Sequence, residues 1–332
     1  MAAIFIPPAD KSGRAKSTVG AAQEDEGTTT RWLTEIMAPD LITANGIREI
    51  YYSTSSPFQT IDIYRLGSFG RCLVLDGKIQ SASIDEHIYH ESLVQPSMSL
   101  HPNPKRVFIA GGGEGATARE LLRSSTVEKC TMVDIDQIVV ETCKVHMPNH
   151  SAGAYDDPRF EIHHCDAGKF LEDSPAHSYD VIILDLADPV EGGPCFQLYT
   201  QEFYRSLTDK LAPNGILVTQ SGPGGMLTAP EVFYPVVNTL KTVFKHVQPY
   251  TVFVPSFMDP YGFTMCSNDI DVTSPDKDLI DQRIAARMDP ASLKFYDGQT
   301  HIGITSISKD LRAAIAATAD RVITKDNPVF IF

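Results

Sequence analysis

The sequence predicts an α/β protein with a doubly wound, mostly parallel sheet of the Rossmann-like type, preceded by a small N-terminal antiparallel β domain. Between residues 106 and 268, short apolar segments alternate with segments of helical periodicity, which is typical of successive βαβ units. A glycine-rich segment, GGGEG, directly follows the first of these apolar segments. Upstream, residues 59–80 contain short alternating runs broken by glycines, which indicates an antiparallel unit with tight turns.

The chain divides into three parts. Residues 1–30 contain no long apolar run after a basic one, and we expect a disordered tail rather than a secretory signal. Residues 31–95 are predicted to form the N-terminal β-strand domain, which ends in a helix that Asp85 is placed to cap. Residues 96–332 are predicted to form a Rossmann-like catalytic domain, closed by a C-terminal cap that includes two charged helices.

The second domain should contain five parallel strands and a closing pair. The predicted parallel strands are RVFIA, CTMVDID, FEIHH, YDVIILDLADP and GILVTQSG. Segments with helical character separate them, such as ATARELLR and QIVVETCKVHM, so each strand can return to the same sheet edge. The segments VQPYTVFVP and YGFTMCSN are expected to close the sheet.

The composition disfavours several classes of partner. The net charge of −14 disfavours binding to nucleic-acid phosphates and would attract cations, although many cytosolic proteins are also acidic. No segment approaches the ~20 apolar residues that cross a membrane. The six cysteines have no metal-site spacing, and we expect buried thiols in a reducing, cytoplasmic location.

The GGGEG segment is a candidate ligand loop at the end of the first parallel strand. Its glycines would let a ligand approach the backbone, and Asp134 ends the next strand, where an acid can bind ribose hydroxyls. Glu114 within the loop would repel a pyrophosphate but attract a cation. We therefore expect a nucleoside with a positively charged tail, although Glu114 could instead merely favour the helix N-terminus.

Two further acidic sites follow the ends of strands. Asp166 could accept a hydrogen bond from the exocyclic amine of adenine, or it could simply cap the next helix. Asp185 and Asp188 end a buried strand, at the edge where open α/β sheets bind ligands. Two carboxylates this close cost free energy unless a cation lies between them, and an N-cap role explains only one of them.

The motifs GGGEG, DID, DAG, DLADP with EGGP and LYT, together with LDGKIQ and DEHIYHE, resemble the spermidine/spermine synthase family of aminopropyltransferases. The resemblance extends over about residues 32–330, and the DLADP and IYHE segments are most similar to the thermospermine synthases of plants and algae. It implies a methyltransferase-type sheet, decarboxylated S-adenosylmethionine as a co-substrate, a polyamine acceptor and a homodimer or homotetramer. No metal or other cofactor is expected, because the departing methylthioadenosine is neutral.

The resemblance also implies roles for individual residues. Asp185 and the hydroxyl of Tyr89 would orient the attacking amine and take its proton, and Glu114 with Asp185 would hold the donor's amine. The residues implied to bind the donor are Gln59, Gly111, Gly113, Glu114, Asp134, Asp166, Ala167, Asp185, Pro194 and Leu198. The residues implied to bind the acceptor are Trp32, Glu35, Tyr89, His90, Asp188, Gln220 and Phe257.

The sequence departs from the commoner spermidine synthases at several positions. Spermidine synthases usually have an aspartate at the position of Glu114 and a glutamine at the position of His90. They usually have two serines at the positions of Leu186 and Ala187. His90 could equally be an ordinary buried histidine beside the site. Phe257 lacks the hydroxyl of a tyrosine that contacts the acceptor in many members. The apolar step between the two aspartates favours spermidine over putrescine as the acceptor.

Three other functions are compatible with the predicted fold. A putrescine N-methyltransferase would need space for a carboxylate where Glu114 lies, and an oxidoreductase would need a loop that tolerates phosphates. A polyamine-binding protein without activity would not require Tyr89 and Asp185. Within the family, a spermine or spermidine synthase is the alternative, because the sequence does not indicate which end of spermidine is attacked.

Overall fold

The computed structural model describes residues 31–193 and 195–331. The predicted tail, residues 1–30, lies outside the described residues. Within them the chain forms two β-sheets, one of five strands and one of seven. Among the described residues, no helix combines the length and the apolar character that a membrane crossing requires.

The N-terminal sheet is antiparallel, and its strands follow one another in chain order. The strands are β1 (Trp32–Ala38), β2 (Leu41–Ser55), β3 (Thr60–Leu66), β4 (Gly70–Leu75) and β5 (Lys78–Ala82). The alternating runs seen in the sequence correspond to β3, β4 and β5. Ile61, Ile63 and Leu73 are buried in one cluster with Val139 and Cys143 of the larger domain, so apolar contacts join the two parts.

Helix α1 (Glu86–Leu100) follows β5 and is buried along most of its length. Its residues share a core with strands of the larger sheet, so the predicted domain boundary at residue 95 falls inside a helix that packs on the second domain. Asp85 does not cap this helix, contrary to the prediction. Its carboxylate instead accepts hydrogen bonds from the backbone N–H and the hydroxyl of Ser256 (2.6 and 3.0 Å), which fixes the segment that carries Phe257.

The larger sheet contains the five predicted parallel strands and the closing pair. Its strands are β6 (Arg106–Gly111), β7 (Lys129–Val133), β8 (Phe160–His163), β9 (Tyr179–Asp185), β10 (Leu211–Pro223), β11 (His246–Val254) and β12 (Asp259–Ser267). The order across the sheet is β11-β12-β10-β9-β6-β7-β8, with β11 and β12 antiparallel to their neighbours. The predicted fold class, a Rossmann-like sheet of the methyltransferase type behind an antiparallel β domain, is confirmed.

Helices cover both faces of this sheet. They are α2 (Ala116–Leu122), α3 (Gln137–His146), α4 (Pro148–Ser151), α5 (Ala167–Asp173), α6 (Gln201–Lys210), α7 (Phe233–Lys241), α8 (Lys277–Arg287), α9 (Gly298–Thr305) and α10 (Lys309–Ala317). Alternate side chains of β6 pack on opposite faces of the sheet. Val107 and Ile109 pack in the core that includes α1 and α2, whereas Phe108 and Ala110 pack in the core that includes α5, α6 and α7.

The order of strands reverses between β6 and β9, so their carboxyl ends lie side by side. Gly111 at the end of β6 pairs with Asp185 at the end of β9. Gly111 has a φ of 79°, and a Cβ atom there would lie 2.2 Å from the carbonyl oxygen of Asp185. Only glycine fits this position, which brings the GGGEG loop against the DLADP segment.

The cysteines are free thiols of differing exposure. Cys72, Cys130, Cys143 and Cys266 are buried, as expected, and Cys195 is partly buried. The expectation is wrong at Cys165, which is exposed because it lies in the turn between the end of β8 and the start of α5.

Candidate active site

A cavity of about 560 Å³ opens at the carboxyl edge of the larger sheet, against the N-terminal sheet. This edge is where open α/β sheets bind ligands. The predicted residues that line it are Glu35, Gln59, Tyr89, Gly111, Gly113, Glu114, Asp134, Asp166, Ala167, Asp185, Asp188, Leu198 and Phe257. The structure therefore brings most of the predicted donor and acceptor residues into one cavity. Pro194 lies outside the described residues.

Asp185 stands at the centre of the cavity, held by two hydroxyl groups. The Tyr89 hydroxyl donates to its Oδ1 at 2.8 Å, and the Thr117 hydroxyl donates to its Oδ2 at 2.5 Å. Burial, and then the negative charge of Glu114, raise the pKa of Asp185 to about 6. Burial and the charge of Asp185 raise the pKa of Tyr89 well above its usual value, so Tyr89 remains a hydrogen-bond donor at neutral pH.

Glu114 is held by His90, which does not line the cavity. The Nε2 atom of His90 lies 2.7 Å from Glu114 Oε1, and its Nδ1 atom lies 2.7 Å from the carbonyl and 3.0 Å from the carboxylate of Glu86. Because both ring nitrogens face acceptors, both must donate, and the ring is an imidazolium. Burial lowers the pKa of His90, but the bonds to Glu114 and Glu86 outweigh burial and raise this pKa to about 10.

Further charged residues extend the His90–Glu86 ion pair away from the cavity. The guanidinium of Arg119 binds Glu86 at 2.8 Å and Glu120 at 2.9 Å. Burial raises the pKa of Glu114, but the hydrogen bond and charge of His90 lower it more, and the net pKa lies below the usual value. The result is a carboxylate that stays ionised at the wall of a largely buried cavity. His90 therefore lies behind the cavity wall, where it positions Glu114, and it does not line the cavity as the prediction of an acceptor-binding residue would require.

His90, Glu114 and Asp185 also have the composition of a possible metal site. Each offers one ligand atom, and the three atoms lie within 4.8 Å of one another. A metal would need a lone pair on His90 Nε2, yet that nitrogen donates to Glu114. Two carboxylates that face one cavity beside a protonated histidine suit an ammonium group better than a metal ion.

Asp188 is the second carboxylate of the DLADP segment. It accepts hydrogen bonds from the Tyr261 hydroxyl at 2.9 Å and from Gln220 Nε2 at 3.3 Å. Burial raises its pKa above the usual value, although these two bonds and the charge of Lys78 act against burial. Gln220 is fully buried behind Asp188 and does not line the cavity, so the structure places it as a support of Asp188, not in the acceptor channel as predicted.

The end of the cavity between β7 and the N-terminal sheet contains Asp134 and Gln59, two of the predicted ribose ligands. Asp134 accepts a hydrogen bond from the backbone N–H of Asp136 at 2.8 Å, and burial raises its pKa to about 7. Gln59 donates to the carboxylate of Asp136 at 2.9 Å, which ties the N-terminal sheet to the start of α3. Asp166 accepts from the backbone N–H of Lys169 at 3.0 Å, so it caps α5 and also lines the cavity. The two predictions for Asp166, a helix cap and a ligand of adenine, are therefore compatible.

The N-terminal sheet supplies the other end of the cavity. Glu35 lines it and accepts a hydrogen bond from the backbone N–H of Ile79 at 2.9 Å, and burial raises the pKa of Glu35. Phe257 lines it and packs edge-to-face on Tyr89, with ring centroids 5.8 Å apart. Trp32 does not line the cavity, and it is 47% exposed at the start of β1.

Two residues that hold the acids of the DLADP segment, Thr117 and Tyr261, were not predicted from the sequence. Thr117 lies in the first turn of α2, and its position two residues after GGGEG was the available signal. Tyr261 reaches Asp188 because β12 pairs with β10, a pairing between segments that are distant in the sequence. No local pattern of residues indicates such a contact.

Residues 86–276 match the family model described as the spermine/spermidine synthase domain, and residues 31–83 match the spermidine synthase tetramerisation domain. A thermospermine synthase of Arabidopsis thaliana is 40% identical over 330 residues, which cover 98% of this chain and 94% of the relative. The chain belongs to the spermine/spermidine synthase family. It is an aminopropyltransferase by family, as the motifs had indicated.

Other members of the family agree with this assignment. A polyamine aminopropyltransferase of Synechococcus sp. (strain JA-2-3B'a(2-13)) is 41% identical over 90% of this chain and 96% of its own length. A crystal structure of a spermidine synthase in complex with the transition-state analogue AdoDATO superposes with a TM-score of 0.80, at 28% identity, over 89% of this chain and 99% of that one. The spermidine synthase of Thermotoga maritima superposes with a TM-score of 0.78, at 27% identity, over 91% and 98%.

Proposed function

We propose that this aminopropyltransferase is a thermospermine synthase that transfers the aminopropyl group of decarboxylated S-adenosylmethionine to spermidine. The observation that carries the choice of donor is Glu114, an ionised carboxylate at the cavity wall beside Asp185. The donor's terminal amine would lie between these two acids. Ordinary S-adenosylmethionine carries a carboxylate next to that amine, which Glu114 would repel. This repulsion is the argument against an N-methyltransferase.

The nucleoside of the donor would occupy the end of the cavity at β7 and α5. Asp134 and Gln59 are proposed to bind the ribose hydroxyls, and Asp166 the exocyclic amine of adenine. Ala167 and Leu198 supply the apolar contact with the base, and Gly111 and Gly113 allow the sulfur-bearing chain to approach the backbone. The donor is a co-substrate, and the proposed reaction requires no metal ion and no further cofactor.

The transfer is a displacement at the carbon next to the sulfonium. The lone pair of the acceptor nitrogen forms the new C–N bond while the C–S bond breaks, and the electrons of the broken bond neutralise the sulfur, which leaves as methylthioadenosine. Asp185 is proposed to accept the proton of the attacking amine, since a pKa near 6 leaves it ionised at neutral pH. Tyr89 holds this carboxylate in place through its hydroxyl. Alignment of nitrogen, carbon and sulfur would supply much of the rate.

The acceptor would extend from Asp185 past Asp188 towards Glu35. Asp188 is proposed to bind a second amine of the acceptor, and Phe257 to pack along its methylene chain. Leu186 and Ala187 line the cavity between the two acids, and this apolar step suits the longer chain of spermidine. The thermospermine synthase of Arabidopsis thaliana, similar over nearly the whole chain, supports the same choice. Spermine or spermidine synthase is the second candidate, because other similar proteins are named only as polyamine aminopropyltransferases.

A product assay tests the proposal. The protein is incubated with decarboxylated S-adenosylmethionine and either spermidine or putrescine, and in parallel with ordinary S-adenosylmethionine, and the products are separated by a method that resolves thermospermine from spermine. We expect thermospermine from spermidine, and no product from ordinary S-adenosylmethionine. Spermine would contradict the choice of amine, spermidine formed from putrescine as the main product would contradict the choice of acceptor, and a methylated amine would contradict the donor.

We further propose that the protein is an oligomer assembled through its N-terminal sheet. The sheet matches the family's tetramerisation domain, and β1 and β2 expose large apolar side chains, namely Trp32, Ile36, Leu41, Ile42, Ile50 and Tyr52. Dimer and tetramer remain the two predictions. The cytoplasmic location expected from the sequence also stays a prediction.

A further inference from the structure

The C-terminal segment, residues 323–331, returns to the candidate active site after the last helix. The family model that covers the catalytic domain ends at residue 276, so this segment lies beyond the matched part. Ile331 nevertheless lines the cavity together with Val190, Gly193 and Leu198. We call residues 323–331 the C-terminal strap and residues 188–193 the 188–193 loop.

The strap is anchored before it reaches the site. Ile323 is buried, with 1% of its surface exposed. Its carbonyl accepts from the backbone N–H of Gln201 at 2.8 Å, and its own N–H donates to the Thr239 hydroxyl at 2.8 Å, so it joins the start of α6 to the last turn of α7. A tight turn follows, closed by paired backbone hydrogen bonds between Thr324 and Asn327. This turn directs the last residues towards the cavity.

The end of the strap contacts the 188–193 loop and the segment that follows it. The backbone N–H of Ile331 donates to the carbonyl of Pro189 at 2.8 Å. The ring of Phe330 packs on Phe196, with centroids 5.7 Å apart. The side chains of Val329 and Ile331 pack against the same hydrophobic core as Leu198. The loop starts at Asp188, a proposed acceptor ligand, and it ends beside the nucleoside side of the cavity.

We propose that the C-terminal strap is part of the donor site: Ile331 forms a wall of the nucleoside end of the cavity, and its backbone N–H fixes the 188–193 loop over the bound nucleoside. The proposal rests on the proposed function, which puts an adenosine group at this end. Nucleoside binding then depends on a segment outside the region that matches the family model. Ile331 acts by direct contact, and its N–H acts by positioning the loop.

Binding of methylthioadenosine, measured by titration calorimetry on the full-length protein and its variants, tests the strap without reference to activity. Truncation after Asn327 removes both the wall and the hydrogen bond, and we expect the Kd to rise roughly tenfold. Ile331→Ala removes the side chain that forms the wall and keeps the N–H, and it should raise the Kd by a few fold. Ile331→Pro removes the N–H as well as the isoleucine side chain, and it should raise the Kd further than Ile331→Ala. Lys325→Ala changes an exposed side chain of the same strap and should leave the Kd unchanged.

Hydrogen exchange of the 188–193 loop gives a second readout. Truncation and Ile331→Pro should speed exchange in this loop in the protein without nucleoside, whereas Lys325→Ala should not. If the wild type binds methylthioadenosine and the truncated chain, still folded by thermal unfolding, binds it equally well, the strap proposal is wrong while the proposed function stands. If the wild type itself does not bind methylthioadenosine, the proposed function fails and the strap's role falls with it.

Discussion

Replacing His90 with glutamine removes the positive charge that holds Glu114 ionised. In the folded protein the imidazolium donates to Glu114 and Glu86, and its pKa rises from the usual 6.5 to about 10. A group whose pKa is raised on folding stabilises the protein fully below its unfolded pKa, and this stabilisation is lost as the pH rises through the folded pKa. The stabilisation by His90 should therefore be large near neutral pH and mostly absent near pH 10.

The size of the effect follows from the number of protons bound. Between about pH 7 and about pH 9, the folded His90 stays protonated and the unfolded His90 is mostly neutral, so folding takes up nearly one proton. One proton corresponds to about 1.4 kcal/mol for each pH unit. Over this range the wild type should lose about 2–3 kcal/mol of unfolding free energy relative to His90→Gln.

Urea unfolding at the two pH values, at one fixed protein concentration, measures this difference. His101→Gln is a matched control, because His101 is also buried but burial lowers its pKa to about 4, so it is neutral in both states across this range. The control should keep the wild-type pH dependence. If His90→Gln also follows the wild type in parallel, His90 is not an imidazolium in the fold, and the account of how Glu114 is held is refuted.

Three further substitutions test the cavity and the turn that shapes it. Asp185→Asn should reduce kcat by roughly 100-fold or more while methylthioadenosine still binds, and retained turnover in a kinetic assay would contradict its role as the base. Glu114→Gln should weaken the decarboxylated donor by roughly tenfold in competition binding and barely affect methylthioadenosine, which lacks the amine; equal losses would contradict amine binding. Gly111→Ala should destabilise the fold by more than about 2 kcal/mol in urea unfolding, because its Cβ would meet the Asp185 carbonyl; Gly192→Ala, with similar φ but open space, should cost about 1 kcal/mol, and equal costs would contradict the contact.

The parallel sheet and most of the predicted cavity residues could be predicted from the sequence alone, for one physical reason. In a parallel sheet all the carboxyl ends meet at one edge, so an acid at a strand end is placed by its strand alone. Asp134, Asp166 and Asp185 each lie at or just after the carboxyl end of a predicted strand, and each lines the cavity. The glycine at position 111 could be predicted in the same way, because the backbone of the βα turn closely approaches the neighbouring strand at this edge of the sheet.

The positions of residues that depend on the rotation of a helix, or on strand pairing between distant segments, could not be predicted from the sequence. His90 adjoins Tyr89, but neighbours on a helix point about 100° apart, so Tyr89 reaches Asp185 in the cavity while His90 contacts Glu114 from behind the cavity wall. Gln220 lies behind Asp188, and Tyr261 in front of it, because of the register between β10 and β12. That register joins segments about 40 residues apart and leaves no local pattern.

The distribution of partners among the buried acids explains what the cavity is suited to hold. Glu114 has a cationic partner, and its pKa is lowered. Asp185 and Asp188 are held by hydroxyl and amide groups, which satisfy hydrogen bonds but supply no positive charge, and their pKa values are raised. A bound polyamine would supply the missing charge and reverse these shifts. Substrate binding at neutral pH should therefore stabilise the fold, and the stabilisation should weaken as the pH falls through about 6 and Asp185 becomes protonated.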